Sequence, residues 1–470
     1  MTFMNRLIII LAFAFLALFS SGCNKEKQIE DVPMQLEAVD LGLPSGTLWA
    51  SQNLFADRPW ALGRQYRWGE TSEKTDSLGY SMVVDGLLTA YNSEEEYGVV
   101  DNRYLLAPED DAATVILGEE WRIPTQWEFS ELKENCNYKT EIINGITGYR
   151  FYSKNNENSI FIPRGKSNGW LWGGVSYSYW TSCLYENNKA VSFDAELPCL
   201  REEDRSCGMY IRPVLAPRPP VETVSLNPVP RTLIAGSSYQ MGVNLTPENA
   251  WDKHVEWSMS DSGVVYVDKD GLLTALYPGE SRVSAVSPLS GISAETIITV
   301  TDYVVPNLVD MGLPSGIMWA DRNLTAVNIE DTGLRFSFGQ TRPTVKYQKN
   351  GYKGQSLPIG CIPPEYDAST VLLGDGWHMP TQEDFKELVD NCEIRKDKNI
   401  FGYTLVSKIN GASLYIPEGL YPYKYWTAYL EGNQALAFSI IIPWDTGVIT
   451  PIISSEPCLY GLHIRPVFQK

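Results

Sequence analysis

His254, His378 and His463 are the chain's only imidazoles, and eight cysteines are its only thiols. Three histidines spread over 470 residues make a histidine-rich metal site, or most Ser-His-Asp relays, hard to build. No C-x-x-C pair occurs, and no Cys/His set has zinc spacing. Cys136 and Cys392 fall at equivalent places on apolar helix faces, where a thiol serves as a small hydrophobe. Cys199 and Cys207 could close a short loop in an oxidising compartment. Carboxylates are plentiful, and two flanking a glycosidic bond are what sugar hydrolysis needs. Yet Glu70, in Arg67-Trp68-Gly69-Glu70-Thr71, becomes Gln340 in the matching Ser337-Phe338-Gly339-Gln340-Thr341. That carboxylate is therefore no shared device. Glu94-Glu95-Glu96 reads as solvated surface, and neither a P-loop nor a dinucleotide fingerprint is present. The residues point to a non-enzymatic chain with no metal or organic cofactor.

Contact chemistry is better represented. Aromatics make up 12% of the residues, with 14 Trp and 26 Tyr. Trp170, Trp172 and Tyr177 sit in a Gly- and Ser-rich run, and Tyr421 and Tyr423 lie at the matching place further on. Rings flanked by glycine make flat platforms for sugars or partner side chains. Trp180 and Trp426, which open strands, read as core. A second candidate face is the loop Asp194 to Ser206 with Arg201, Glu203 and Arg205, matched by Pro443 to Pro457 with Trp444 and Asp445. The formal charge of −19 repels phosphate backbones, which excludes nucleic acid and polybasic membrane docking. The partner expected is an extracellular glycan or protein.

The elements that must position these residues come twice. Val39 to Ala50 (VDLGLPSGTLWA) recurs as Val309 to Ala320 (VDMGLPSGIMWA). Trp121 to Gln126 recurs as Trp377 to Gln382, Ile160 to Pro163 as Leu414 to Pro417, Tyr179 to Thr181 as Tyr425 to Thr427, and Ile211 to Val214 as Ile464 to Val467. Five blocks in one order mark a duplication. Thr125 with Glu128, and Thr381 with Asp384, are capping boxes that open a helix in each copy. A shorter helix precedes each and ends at Gly118 or Gly374, where glycine suits a C-terminal cap. The rest of each copy alternates like short strands. Val221 to Thr301 shows no helical period and reads as strands at the spacing of a β-sandwich.

The N-terminus reads as an export signal. Arg6 is followed by an unbroken apolar run, Leu7 to Phe19, too short for the roughly 20 residues of a membrane span. Ser20-Ser21-Gly22-Cys23 resembles a bacterial lipobox, with Cys23 as the lipidated residue. The polar stretch behind it resembles the tether of a Bacteroidota-type surface lipoprotein. This gives a signal over 1–22, a tether over 23–35 and modules over 36–216, 217–302 and 303–470. The expected location is the outer membrane, lipid-anchored and facing outward.

The two copies resemble the Fibrobacter succinogenes major paralogous domain, on "VDLGLPSGTLWA", "DDAATVILGEEWRIPTQWEFSEL", "YWTS" and "YIRPV". Residues 221–301 resemble a group 2 bacterial Ig-like domain, on "VSLNP", "LTPENAWDKHVEWSMSDSGVVYVDKDGLLTALYPGESRVSA" and "ITVT". The first resemblance implies a C-type-lectin-like fold, and so an α+β chain: two lectin-like domains plus one all-β sandwich. It also implies a ligand face near the loop before each terminal strand. Formylglycine-generating enzymes share that fold and use paired cysteines, of which Cys199 and Cys207 are the nearest analogue. The resulting expectation is an adhesion or ligand-binding protein. The alternatives are a structural or tip subunit of a surface assembly, then a formylglycine-generating-type enzyme.

Overall fold

The computed structural model describes residues 36–74, 79–164, 178–343, 345, 357–396, 401–418, 424–442 and 449–469. Each copy draws its two ends into one sheet. In the first, Ala38–Asp40, Leu48–Ala50, Val214–Leu215 and Trp121–Arg122 lie side by side in that order. The second builds the same sheet from Leu308–Val309, Met318–Ala320, Val467–Phe468 and Trp377–His378. The motifs read in the sequence as ends of the repeat are thus neighbours in space. Trp49 and Trp319 sit at the centre of these sheets, fully buried.

Among the described residues the α-helices are short. They are α1 (Ala112–Leu117), α2 (Gln126–Asn135), α3 (Ala368–Leu373) and α4 (Gln382–Asp390). Asp111 caps α1 by accepting from the Thr114 amide, and its other oxygen accepts from the Ile123 amide. Asp367 does the same for α3 and Met379. One carboxylate therefore fixes a helix end to the strand beside it. Both helices stop at a glycine with positive φ, Gly118 at 102° and Gly374 at 93°, a region L side chains rarely adopt. The capping boxes form in full on α2 and α4.

The remaining described elements are almost all strands. Cys136–Ile143, Ile146–Ser153 and Ser159–Pro163 make a meander. Ser178–Glu186, Lys189–Asp194 and Cys199–Asp204 make another. The second copy repeats both, with Thr450–Pro457 at one edge of the latter sheet and Gly360–Cys361 added at the other. This overturns the α+β, C-type-lectin-like expectation. The chain is predominantly β, built from many small sheets. The helical signals are real but cover only one to three turns, because glycine or an immediate strand cuts each off. Cys136 and Cys392 illustrate this: both are buried, but each begins a strand instead of continuing the helix.

The two cores share a triad of rings at their centre. Phe129 meets Trp49 edge-on at 5.0 Å and stacks on Phe193 at 4.4 Å. Phe385 meets Trp319 at 5.1 Å and stacks on Phe438 at 4.1 Å. Trp180 and Trp426 are fully buried, as their place at strand starts implies. Each copy also buries an arginine from its terminal motif. Arg212 donates to Asn53 Oδ1 and to the Ala50 and Phe161 carbonyls. Arg465 donates to the Ala320 and Tyr415 carbonyls. Burial pushes each guanidinium down to about 10.

The middle module is a two-layer β-structure. Thr232–Ile234, Ser293–Thr301, Gly279–Val286 and Glu256–Met259 form one sheet, and Ser238–Gln240, Leu272–Ala275 and Val265–Val267 another. Val283 and Ala285 face inward while Arg282 faces out, the period of a half-buried strand. Val265, Leu273, Val283 and Ile298 close the core between the layers.

Candidate functional site

The first copy and the middle module meet across a junction of rings and ion–ring contacts. Tyr104 stacks flat on His254, with ring centroids 3.8 Å apart and planes 6° from parallel. Lys269 Nζ lies 3.8 Å from the Tyr185 ring centroid. Arg218, in the linker, donates to the Glu119 carbonyl at 2.8 Å and to Thr114 Oγ1 at 3.0 Å. Trp127 and Trp251, one from each side, pack against the Leu105, Cys183 and Val191 cluster. Burial pushes the Cys183 thiol up to about 12, so it acts as packing and not as a nucleophile.

Beside this junction lies a cleft of about 350 Å³. That volume is within the range of small-molecule sites, about 300–1,000 Å³. α2 supplies one wall, with Trp127, Ser130, Glu131 and Glu134. The segment Glu248 to Lys253 also lines it, with Asn249 and Trp251. Trp127 and Trp251 are half-buried, and Glu134, Glu248 and Asn249 are exposed.

The floor is ionic and paired through the Arg122 Nη atoms, while the buried Arg122 Nε has no hydrogen-bond partner. Arg122 Nη1 and Nη2 donate to Glu128 Oε2 and Oε1 at 2.7 and 2.5 Å. Thr47 Oγ1 and the Thr125 amide donate to the same carboxylate. Burial alone would raise the Glu128 pKa, but the Arg122 charge and these hydrogen bonds hold it below the ordinary value. A carboxylate so held is no proton donor near neutrality. Glu131 is also engaged, accepting from the Ser45 amide and hydroxyl at 2.7 and 2.5 Å. Around these paired ions the cleft is lined by the half-buried Trp127 and Trp251, a few hydroxyls and amides, and side chains of both signs; Arg218 lies over the Trp251 ring at 5.9 Å and Tyr104 lies beside Trp127 at 6.3 Å. Among the described residues, no group of three or more His, Cys, Asp or Glu could hold a metal. No described helix is long and apolar enough to cross a membrane.

The candidates named from sequence fare differently. Cys23, Trp170, Trp172, Tyr177, Tyr421, Tyr423, Trp444 and Asp445 lie outside the described residues. The supposed loop Asp194 to Ser206 is largely strand, with Cys199–Asp204 paired residue by residue to Lys189–Asp194. Arg201 is exposed there and bonds Asp194 across the hairpin at 2.6 Å. Glu203, on the same face of the strand, is half-buried, and burial raises its pKa.

Arg205 is a correction. It is 1% exposed, with Trp68, Tyr80 and Tyr91 around its guanidinium, and donates to the Tyr91 and Asn187 carbonyls. It cannot touch an outside ligand, because the chain's own carbonyls and rings occupy it. Cys199 and Cys207 are both free thiols, so the short loop is not closed. Burial, followed by Asp204 and Glu203, raises the Cys207 pKa, which is the reverse of an activated thiol. The cleft residues were missed in the sequence. Trp127 lies inside the capping box, where it reads as helix, and Trp251 lies in a different module.

With this geometry in hand, relatives can be placed beside it. Residues 220–295 match the bacterial Ig-like domain (group 2), so the middle module is Ig-like. The match covers that segment and leaves both flanking copies outside it. The chain is 34% identical over 86 residues to an alpha-L-arabinofuranosidase of Bifidobacterium longum, covering 18% of this chain and 8% of that enzyme. It is 38% identical over 71 residues to a lacto-N-biosidase of Bifidobacterium bifidum, covering 15% of this chain and 6% of that one. The chain thus spans under a tenth of either relative. Among solved structures, domains 4–9 of the surface layer protein SbsC align with 9% identity and a TM-score of 0.18, over 74% of this chain and 47% of that one. The bacterial integrin-binding protein invasin aligns with 13% identity and a TM-score of 0.14, over 71% and 59%. Similarity this low carries no argument.

Proposed function

We propose that the protein is a non-enzymatic surface protein that captures an extracellular glycan or protein. In this reading a lipid on Cys23 holds it in the outer membrane, facing outward. The Ig-like module spaces and orients the two copies, and side chains on a rigid frame make the contacts. The cleft at the first junction carries the reading: aromatic walls and a polar rim surround a space whose buried ions are already paired. The names of the two bifidobacterial relatives, both drawn from sugar linkages, lend support to a glycan. The resemblance of the flanking copies to the Fibrobacter paralogous domain stays part of this proposal as a matter of sequence alone.

The test is a binding screen with the full chain immobilised and presented with glycans, mucin and matrix proteins, with calcium and with chelator. Saturable binding to one ligand class is expected. Failure with every class would remove capture as the function.

One observation favours a structural subunit as the second reading. The edge strand Thr450–Pro457 carries Ile453, Ser454, Ser455 and Glu456 where its counterpart carries Leu200, Arg201, Glu202 and Glu203. Charged edges resist pairing with other chains and apolar ones invite it. This reading expects the purified chain to self-associate in analytical ultracentrifugation while showing no outside ligand.

A further inference from the structure

We infer that the cleft between α2 and the Glu248 to Lys253 segment is a composite saccharide site, one that takes a neutral sugar and needs both modules. The inference rests on the capture reading above and narrows it to one site and one ligand chemistry.

Charge comes first. The Arg122–Glu128 pair cancels on the floor, and Glu131 is bonded to Ser45. At the rim, Glu134 and Glu248 stand with Lys253. A strongly anionic ligand meets two free carboxylates, and a strongly cationic one meets Lys253 with Arg122 behind it. Neither sign is favoured, and a neutral ligand avoids both penalties.

Shape and polarity come second. Two half-buried indoles line the cleft, both packed against the Leu105, Cys183 and Val191 cluster, and the part of each left exposed is apolar surface that suits the C–H face of a pyranose. Around them stand carboxylates that accept, an ammonium that donates, and the Asn249 amide that does both. A polyhydroxylated ring uses all of these at once. A purely apolar ligand would leave the rim unpaired.

The division of the walls comes third. Trp127 belongs to the first copy and Trp251 to the Ig-like module, so each module alone holds half a site. A ligand bridging them stabilises the junction by the same free energy with which the junction pre-forms the site.

The test uses the full chain, calorimetry and intrinsic tryptophan fluorescence. The probes are neutral oligosaccharides (β-linked glucan, galactan and arabinan fragments), with sialylated and sulfated oligosaccharides as charged counterparts. Saturable binding of a neutral probe is expected, weakened at least tenfold in Trp127→Ala and in Trp251→Ala. Glu134→Gln and Asn249→Ala change exposed residues that leave folding intact, and each should weaken binding several-fold. Tyr366→Ala, on an exposed ring of the second copy, should leave it unchanged. Saccharide binding that survives the Trp127, Trp251, Glu134 and Asn249 changes would overturn the site. A preference for the charged probes would overturn the ligand class. Binding of a matrix protein with no saccharide binding would sink this inference while sparing capture, and no binding to any ligand would sink both.

Discussion

Arg122 and Glu128 show how a buried ion pair shapes a site without taking part in chemistry. Removing one partner leaves the other charge uncompensated in the protein interior, which costs about 3–5 kcal/mol. Arg122→Ala should therefore lower the first copy's stability by about that amount in urea unfolding, far more than an exposed change such as Lys133→Ala. His463 makes the corresponding case in the second copy. Burial, with the Arg335 charge next, lowers its pKa from 6.5 to about 4. Between those values the unfolded chain holds a proton that the folded chain does not. Stability from this group is thus complete above about 6.5 and falls as pH drops toward 4. The loss amounts to about 3 kcal/mol at roughly 1.4 kcal/mol per unit. The matching residue in the first copy is Tyr210, which is also buried. His463→Tyr should keep the fold and flatten the second copy's unfolding midpoint between pH 7 and 4.5. An unchanged slope would show that another group carries it. Arg205 marks the limit of reading single residues from sequence. It follows Arg201, Glu202, Glu203 and Asp204, so it reads as surface, yet it opens the turn after the strand and points into a ring of aromatics. Nothing local distinguishes it from Arg201.

At the scale of elements the sequence was legible wherever the physics is local. Both capping boxes form, because the donors and acceptors involved lie within four residues of each other. The glycines that end α1 and α3 act where they were read, since only local backbone geometry is at stake. Strand periodicity exposed the middle module for the same reason. What misled was helix length. Three or four apolar positions at helical spacing fit a single turn as well as a long helix, so the helices weighed more in the expected fold class than the strands read beside them. Thr125→Ala should test how far α2 holds its wall of the cleft. A lost N-cap costs about 1 kcal/mol. Amide exchange should quicken in the first turn of α2 and stay unchanged in α4, whose cap is Thr381. Equal protection in both helices would mean that tertiary packing, not the cap, fixes α2.

At the scale of the whole molecule, three modules meet at two junctions, and neither was visible in the sequence. Tyr104 and His254 stack although 150 positions separate them, and no periodicity records such a pair. The second junction depends on the absence of a side chain. Gly236 has φ of 96°, and a Cβ there would lie 1.8 Å from the Thr325 carbonyl oxygen. Arg342 adds a contact over the Tyr277 ring at 4.4 Å. Gly236→Ala should therefore separate the Ig-like module from the second copy. Small-angle scattering should report a larger radius of gyration, with saccharide binding at the first junction intact. Unchanged scattering would show that the contact does not hold the modules. The duplication itself was plain from five ordered motifs, but the cleft was not, because its walls come from different modules.

Hydrogen–deuterium exchange on the full chain, with and without a saturating neutral oligosaccharide, tests the composite site most directly. Protection should rise on both walls together, in α2 around Trp127 and in the segment from Glu248 to Lys253. Protection on one wall alone, or only at the Cys199–Asp204 hairpin, would contradict a composite site.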